Sequence, residues 1–180
     1  MLREEPKGKH HDFDGVLSGA PVVKAQKFLG QITSIYRNAE HTDPDTLMYD
    51  VYTIAQPENE LNWGLTVLYP VLVNGECNMT RGHFHEKEER DEIYVGQSGR
   101  GLLMLMDETG KTWCEQVFRG SFHYIHGTVA HRLINTGSEP LKVMACWPQD
   151  AGHDYARTEK MPFGSRVFLV NGEIQVEDHE

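Results

Sequence analysis

The chain has 180 residues, enough for one domain with a substantial hydrophobic core but few for two. Its formal net charge of −10 argues against nucleic acid as a partner and against binding to an anionic membrane surface. No apolar run is long enough to span a bilayer, and the polar start of the sequence has no hydrophobic stretch of the signal-peptide kind. We therefore expect a cytoplasmic protein, and three widely spaced cysteines without a C-x-x-C pair favour buried, reduced thiols.

The region 21–38 is ambiguous, because Phe28, Ile32 and Ile35 fit either a short helix or an extra strand. From there on, strand patterns dominate: runs of branched and aromatic residues recur at short intervals, with glycine-containing turns between them. Such a series predicts an antiparallel sandwich or a closed barrel. The predicted strands are 47–54, 65–69, 92–95, 101–106, 112–118, 121–125, 131–135, 141–147, 166–170 and 173–176.

A candidate metal site begins with His83 and His85. They are separated by one residue in an extended stretch, so their side chains project from the same face of a strand and can share one ion. Glu92 and the more distant His131 complete a set of three histidines and one carboxylate. Such a set suits iron(II), manganese, nickel or zinc, and it leaves coordination positions free for a substrate.

The identity of the carboxylate has two solutions, Glu89 and Glu92. Glu89 belongs to the charged run 86–91, which is typical of a solvated loop. Glu92 opens an apolar strand and shares a strand face with Tyr94. A carboxylate inside a barrel needs a metal or a donor to compensate its charge, so we favour Glu92.

These spacings resemble the two signature stretches of the cupin superfamily. Gly99 follows Glu92 after six residues, and Asn135 follows His131 after three. The resemblance implies an all-β fold, the double-stranded β-helix or jelly-roll barrel, with a short flanking helix or strands. It also implies one domain over residues 1–180, with the core barrel at about 45–160. The usual cupin spacing would select Glu89 as the carboxylate.

The longer gap, of six residues between His85 and Glu92, resembles the spacing in the cupin-type glucose-6-phosphate isomerases of archaea and some bacteria. The resemblance covers roughly residues 45 to 160, and its last segment is absent from general cupins. The matching motifs are Thr80-x-Gly82-His83-Phe84-His85, Glu92-x-Tyr94-Val95, Ala130-His131-Arg132 and Asp150-Ala151-Gly152-His153-Asp154-Tyr155.

The resemblance implies one divalent metal ion, with iron(II) preferred over manganese, nickel or zinc, and a sugar phosphate as substrate in a homodimeric enzyme. The implied ligands are His83, His85, Glu92 and His131, and the implied catalytic residues are Glu92 and Tyr94. Where archaeal members have a phosphate-contacting tyrosine, this chain has Trp147, whose ring nitrogen donates but cannot accept. The residues implied to bind the sugar phosphate are Thr66, Thr80, Gly82, Tyr94, Trp147, His153 and Tyr155.

The expected activity is the interconversion of glucose 6-phosphate and fructose 6-phosphate. Glu92 would remove the C2 proton to give a cis-enediol, or a hydride would shift directly. A cupin iron(II) dioxygenase and a non-catalytic sugar-binding cupin are the alternatives. Arg81 and Arg132 alternate away from the ligand face and are predicted to be outer-surface charges.

Overall fold

The computed structural model describes residues 6, 8–11, 16–19, 21–54 and 60–178, and most of them lie in short antiparallel strands. The all-β prediction is confirmed. Within these residues no helix is long and apolar enough to cross a membrane. The strands are β1 Gly8–His10, β2 Leu17–Gly19, β3 Val22–Phe28, β4 Leu47–Ile54, β5 Leu61–Leu68, β6 Leu72–Val73, β7 Glu76–Cys77, β8 Glu92–Ser98, β9 Arg100–Met106, β10 Thr112–Phe118, β11 Phe122–Ile125, β12 Ala130–Asn135, β13 Leu141–Pro148, β14 Ser165–Val170 and β15 Glu173–Asp178, with one helix, α1, at Tyr155–Lys160.

Two antiparallel layers enclose the core, as expected for a cupin jelly roll. One layer is a six-stranded sheet in the order β11-β8-β13-β5-β4-β3. The other contains β10-β9-β12, and the segment 78–84 runs beside β12 through isolated bridges from Met79 to Ile134 and from His83 to His131. This second layer continues into the sheet β15-β14-β7-β6, because β7 leads directly into that segment.

Within the second layer, the strands β9 and β12 are buried on both of their faces. All six residues of β12 are buried, as are the last four of β9. A strand that is covered on both faces is apolar without alternation, and β9 is of this kind. Phe163, which follows α1, packs into the core beside Phe84 and Met79. The face of β12 that points away from the barrel interior therefore does not meet solvent.

The predicted strands agree with the observed ones to within a few residues, apart from β5, which begins four residues earlier, at Leu61. The ambiguous region contains the strand β3 and then two 3₁₀ turns, Leu29–Gln31 and Thr33–Ile35. The hairpin of β6 and β7, the helix α1 and the short strands β1 and β2 were not predicted. The three cysteines are free, as expected, but the expectation that all three are buried is wrong: Cys77 is buried, Cys146 is partly buried and Cys114 is exposed.

Candidate metal and substrate site

The candidate ligands are brought together by strand pairing in the second layer and by the start of β8. His83 and His131 face each other: the amide of His83 donates to the carbonyl of His131 at 3.3 Å, and that of His131 donates back at 3.1 Å. His85 lies two residues beyond His83, so its side chain is on the same face. The ring centroids of His83 and His85 are 4.5 and 5.4 Å from that of His131. Glu92 reaches the same point from the facing sheet.

The four ligand atoms of His83, His85, Glu92 and His131 all lie within 4.8 Å of one another. An ion bound at about 2.1 Å to each ligand would place neighbouring donors roughly 3 Å apart and opposite ones about 4.2 Å apart. The observed spacing therefore fits one shared ion. Of the two candidate carboxylates, Glu92 is buried in the cluster, whereas Glu89 is exposed.

Unpartnered imidazole nitrogens mark the centre of this cluster. Nε2 of His83 and Nε2 of His131 are buried and have no hydrogen-bond partner among the described residues. His131 Nε2 lies 3.2 Å from Glu92 Oε2, which is an ion-pair distance, but the angle does not make a hydrogen bond. Buried polar atoms without partners are rare in proteins, and a metal ion would satisfy both.

The protonation states of His83 and Glu92 suit metal binding. Burial, together with the neighbouring His131 and His153, holds the pKa of His83 well below its ordinary value, so its ring is neutral. Burial alone would raise the pKa of Glu92, but His131 and His85 outweigh it and lower the pKa, so the carboxylate is ionised. The pKa of His85 is raised: burial opposes this, and the hydrogen bonds to Glu92 and to the Arg90 carbonyl outweigh burial.

Backbone carbonyls orient two of the rings. His85 Nδ1 lies 2.5 Å from the carbonyl oxygen of Arg90, and His131 Nδ1 lies 3.4 Å from that of Val129. A carbonyl only accepts, so each Nδ1 is a protonated nitrogen and each Nε2 faces the centre of the cluster. His85 Nε2 lies 3.2 Å from Glu92 Oε2, and a bound metal ion would take the place of the proton between them.

A cavity of about 300 Å³, here called the front cavity, opens from this cluster. It is lined by inward-facing residues of β3, β4, β5, β8 and β13 and by the segments around the ligands. All the residues implied to bind the sugar phosphate line it, namely Thr66, Thr80, Gly82, Tyr94, Trp147, His153 and Tyr155.

The segment 150–155 is tied to the metal-ligand segment by a backbone bridge. The amide of Asp154 donates to the carbonyl of Phe84 at 2.8 Å. This bridge places His153 beside His83, with ring centroids 4.3 Å apart, and stacks it with Tyr155 at 5.7 Å. His153 is exposed at the mouth of the cavity. Burial lowers its pKa and raises that of Tyr155.

Three further residues of the cavity wall have defined local surroundings. Thr80 Oγ1 accepts the amide of Leu133 at 3.0 Å, so its hydroxyl proton remains available to a ligand. Trp147 fits only because Gly64 has no side chain: a Cβ there would lie 2.9 Å from Cη2 of the indole. Tyr94 lies edge-on to His131 at 5.5 Å, and burial raises the pKa of its phenol well above the ordinary value.

Sequence reasoning missed three side chains in this wall: Lys27, Tyr49 and Arg81. Lys27 and Tyr49 are paired in register on β3 and β4. The strand character of residues 22–28 was the one sequence feature that could have pointed to Lys27. A polar strand without alternation, however, does not show which of its faces lines the barrel interior.

Arg132 is not the outer-surface charge that was predicted. It is 8% exposed, and its guanidinium lies 4.0 Å above the ring of Phe163. The prediction was wrong because β12 is covered on its second face as well. Arg81 is half-buried: it pairs with Glu159 at 2.5 Å and lies 4.2 Å above the ring of Tyr155.

Comparisons with known proteins show which family the chain belongs to. The sequence profile of the glucose-6-phosphate isomerase (GPI) family matches residues 23–180. The chain is 41% identical over 184 residues to the glucose-6-phosphate isomerase of Thermococcus kodakarensis and 36% identical over 186 residues to that of Pyrococcus horikoshii, covering 99% of this chain and 97% of each relative. Among solved structures, a mutant of Bacillus subtilis oxalate decarboxylase aligns with a TM-score of 0.49 and 20% identity, over 66% of this chain and 30% of that one. The chain belongs to the glucose-6-phosphate isomerase family.

Proposed function

We propose that this chain interconverts glucose 6-phosphate and fructose 6-phosphate at one divalent metal ion. The observation that carries the proposal is the convergence of His83, His85, Glu92 and His131 at one end of the front cavity. Hydroxyl, imidazole and amide donors line the rest of that cavity. A cavity of about 300 Å³ is in the range of small-molecule sites.

The ion, when bound, supplies a Lewis acid that polarises the carbonyl oxygen of the open-chain sugar. Glu92 is the proposed base: it is ionised, buried and aimed at the same point as the three imidazoles. In the aldose-to-ketose direction it takes the C2 proton and returns it at C1, and the hydroxyl proton of O2 ends on O1, so that a cis-enediol forms between the two steps. Tyr94, whose phenol stays protonated, is placed beside His131 to donate a hydrogen bond to a sugar oxygen.

The phosphate is proposed to lie against Thr66, Thr80, Gly82 and Tyr155, with His153 at the mouth. A β-barrel interior has no helix N-terminus to hold an anion, so hydroxyls and amides are the natural donors. Lys27 and Arg81, the two cations that line the front cavity, offset the net charge of −10 and attract a dianion. Trp147 supplies one donor on the same wall.

Iron(II) is the proposed metal, with manganese, nickel and zinc as substitutes, since a set of three histidines and one carboxylate suits all four. The proposal includes a single domain over residues 1–180, supported by the one large core that joins both layers. It also includes a cytoplasmic homodimer, which rests on the resemblance to the family.

The test is a coupled assay of fructose 6-phosphate conversion before and after chelation, with each of the four metals added back in turn. Activity is expected to disappear on chelation and to return with iron(II). Conversion in deuterated water should place deuterium at C1 or C2 of the product if Glu92 transfers a proton. Complete retention of the original hydrogen would instead indicate a hydride shift.

Two matched variants separate the site from the surface. Glu92→Gln keeps the side-chain shape and removes the charge, and it is expected to abolish turnover. Glu89→Gln changes an exposed neighbour and is expected to leave turnover intact. Absence of conversion with every metal would remove the isomerase assignment, and activity that survives chelation would remove the metal.

A further inference from the structure

A second cavity, of about 360 Å³, lies against the face of β12 that is opposite to His131, and it is here called the rear cavity. Strand alternation points Arg132 to this face. Arg81 is the one described residue that lines both cavities. The remaining walls come from the second 3₁₀ turn, α1 and the chain that follows it, including Ser34, Phe163 and Arg166.

Three guanidinium groups meet in the rear cavity, although the protein as a whole is acidic. Arg166 donates to Glu76 at 2.8 Å and to the carbonyl of Ile35 at 3.0 Å. Arg81 is paired with Glu159. Each of these two arginines therefore has its own carboxylate partner.

Arg132 differs, because it forms no ion pair with any described carboxylate. Its Nη2 donates to the carbonyl of Arg81 at 2.8 Å, and its Nη1 lies 3.0 Å from the sulfur of Met79. Its Nε is buried and has no hydrogen-bond partner among the described residues. A buried charge without a counter-ion is strongly unfavourable unless an ion or a ligand compensates it.

The charges in the rear cavity do not cancel. Glu159 is the carboxylate among the lining residues, and Glu76, which is not a lining residue, offsets the charge of Arg166 by pairing with it. Three guanidinium groups against these two carboxylates leave one positive charge. Asp178 accepts a hydrogen bond from Ser165 at 3.0 Å but is not one of the lining residues. Burial lowers the pKa of Arg132 to about 10, so it is still protonated at neutral pH.

We propose that the rear cavity is an anion-binding site, distinct from the front cavity, that takes the phosphate or carboxylate group of a small metabolite. Guanidinium groups bind both kinds of oxyanion through paired, charge-assisted hydrogen bonds. The exposed Ser34 lies at the rim. The volume exceeds that of a bare phosphate and admits a short carbon skeleton.

Arg81 gives this site a connection to the front cavity. Its side chain lies over Tyr155, its carbonyl accepts from Arg132, and it stands between Thr80 and Gly82. An anion in the rear cavity would reach the same guanidinium that faces the proposed sugar-phosphate site. Such a shared contact is how occupancy of one site changes affinity at another.

The test uses the zinc-loaded protein, which is diamagnetic, and follows the arginine Nε–H signals by NMR during titration with inorganic phosphate. Substitutions Arg132→Lys and Arg166→Lys assign the two signals. The same titration with malonate separates phosphate from carboxylate as the preferred group. The Arg132 and Arg166 signals are expected to shift and saturate with at least one of the two anions.

Ser34 supplies the matched pair of variants, because it is exposed and lies on the rim of the cavity. Ser34→Glu places a carboxylate there and is expected to weaken anion binding about tenfold or more, whereas Ser34→Gln has the same size without the charge and keeps the wild-type affinity. Equal unfolding midpoints of the two variants show that the fold is intact.

The proposal is overturned if neither anion moves the Arg132 and Arg166 signals, or if Ser34→Glu and Ser34→Gln bind alike. If the anion-induced changes in the arginine NMR signals are identical in Ser34→Glu and Ser34→Gln, the anion binds in the front cavity alone. The readout is binding and not turnover, so a negative result leaves the isomerase proposal untouched.

Discussion

Replacing Gly82 by alanine is expected to destabilise the fold, because two independent penalties coincide at this residue. Its φ is +76°, in the left-handed region, where an alanine costs about 1–2 kcal/mol. The added Cβ would also lie 2.8 Å from Cε2 of Phe163 and 3.0 Å from Nε of Arg132. Both neighbours are buried and stacked on each other, so neither can move aside freely.

Overpacking of this kind costs a further ~1–3 kcal/mol, which brings the total for Gly82→Ala to about 2–5 kcal/mol. For a domain of this size, each kcal/mol lowers the unfolding midpoint by roughly 2–4 °C, so we expect a decrease of about 4–20 °C. Gly120 has a similar φ of +87° but nothing within 4 Å of the position of its Cβ. Gly120→Ala therefore carries the backbone penalty alone, with a decrease of about 2–8 °C.

Differential scanning calorimetry of the two variants beside the wild type, with the metal bound and after chelation, measures both decreases. The difference between Gly82→Ala and Gly120→Ala isolates the packing penalty, since the effect of alanine on the unfolded chain is common to both. Equal midpoints for the two variants would refute the close packing of Gly82 against Phe163 and Arg132.

Three further predictions concern single side chains. Hydrogen bonds from Arg90 and Lys87 hold the pKa of the Asp150 carboxyl below its ordinary value, so Asp150→Asn should lower the unfolding midpoint at pH 7. The difference from wild type should begin to shrink as the pH falls below about 4, the pKa of a free aspartate, and should vanish only below the lowered pKa of the folded protein. A constant difference across pH would contradict this. Trp147→Tyr should lower the KM for fructose 6-phosphate about threefold to tenfold, because the tyrosine hydroxyl restores a contact with the phosphate, and Trp147→Phe should not. Identical KM values for the two variants would show that no such contact forms. Lys27→Gln should raise the KM for fructose 6-phosphate about tenfold. Lys24 lies on the other face of the same strand and pairs with Asp50, so Lys24→Gln should leave this KM unchanged. Equal effects of the two variants would remove Lys27 from the substrate site.

The metal cluster could be predicted from the sequence because it depends on local rules. His83 and His85 share a strand face by alternation alone, and Glu92 was preferred over Glu89 because burial of a carboxylate requires compensation. The strands themselves follow from runs of branched and aromatic residues. The resemblance to the isomerase family supplied the residues that line the rest of the cavity, which alternation does not reveal.

The positions of the Lys27 and Arg132 side chains depend on packing between segments that are distant in the sequence. Local sequence patterns do not reveal such packing. Lys27 faces the cavity because β3 joins the edge of the six-stranded sheet in register with β4. Arg132 is buried because α1 and Phe163 cover the second face of β12. The alternation rule correctly turned Arg132 away from His131, but it could not say what lay on that side.

The wall formed by β12 and the segment 78–84 therefore has chemistry on both of its faces. His131 points into the front cavity, and Arg132, the next residue, points into the rear cavity. In the neighbouring segment, Gly82 must remain without a side chain because Arg132 packs against it from behind. A substitution on the rear face of this wall acts on the backbone that carries the candidate ligands. For this reason, metal affinity as well as anion affinity should be measured for variants of Arg132. A variant that changes the metal affinity alone would indicate that His131 has been displaced.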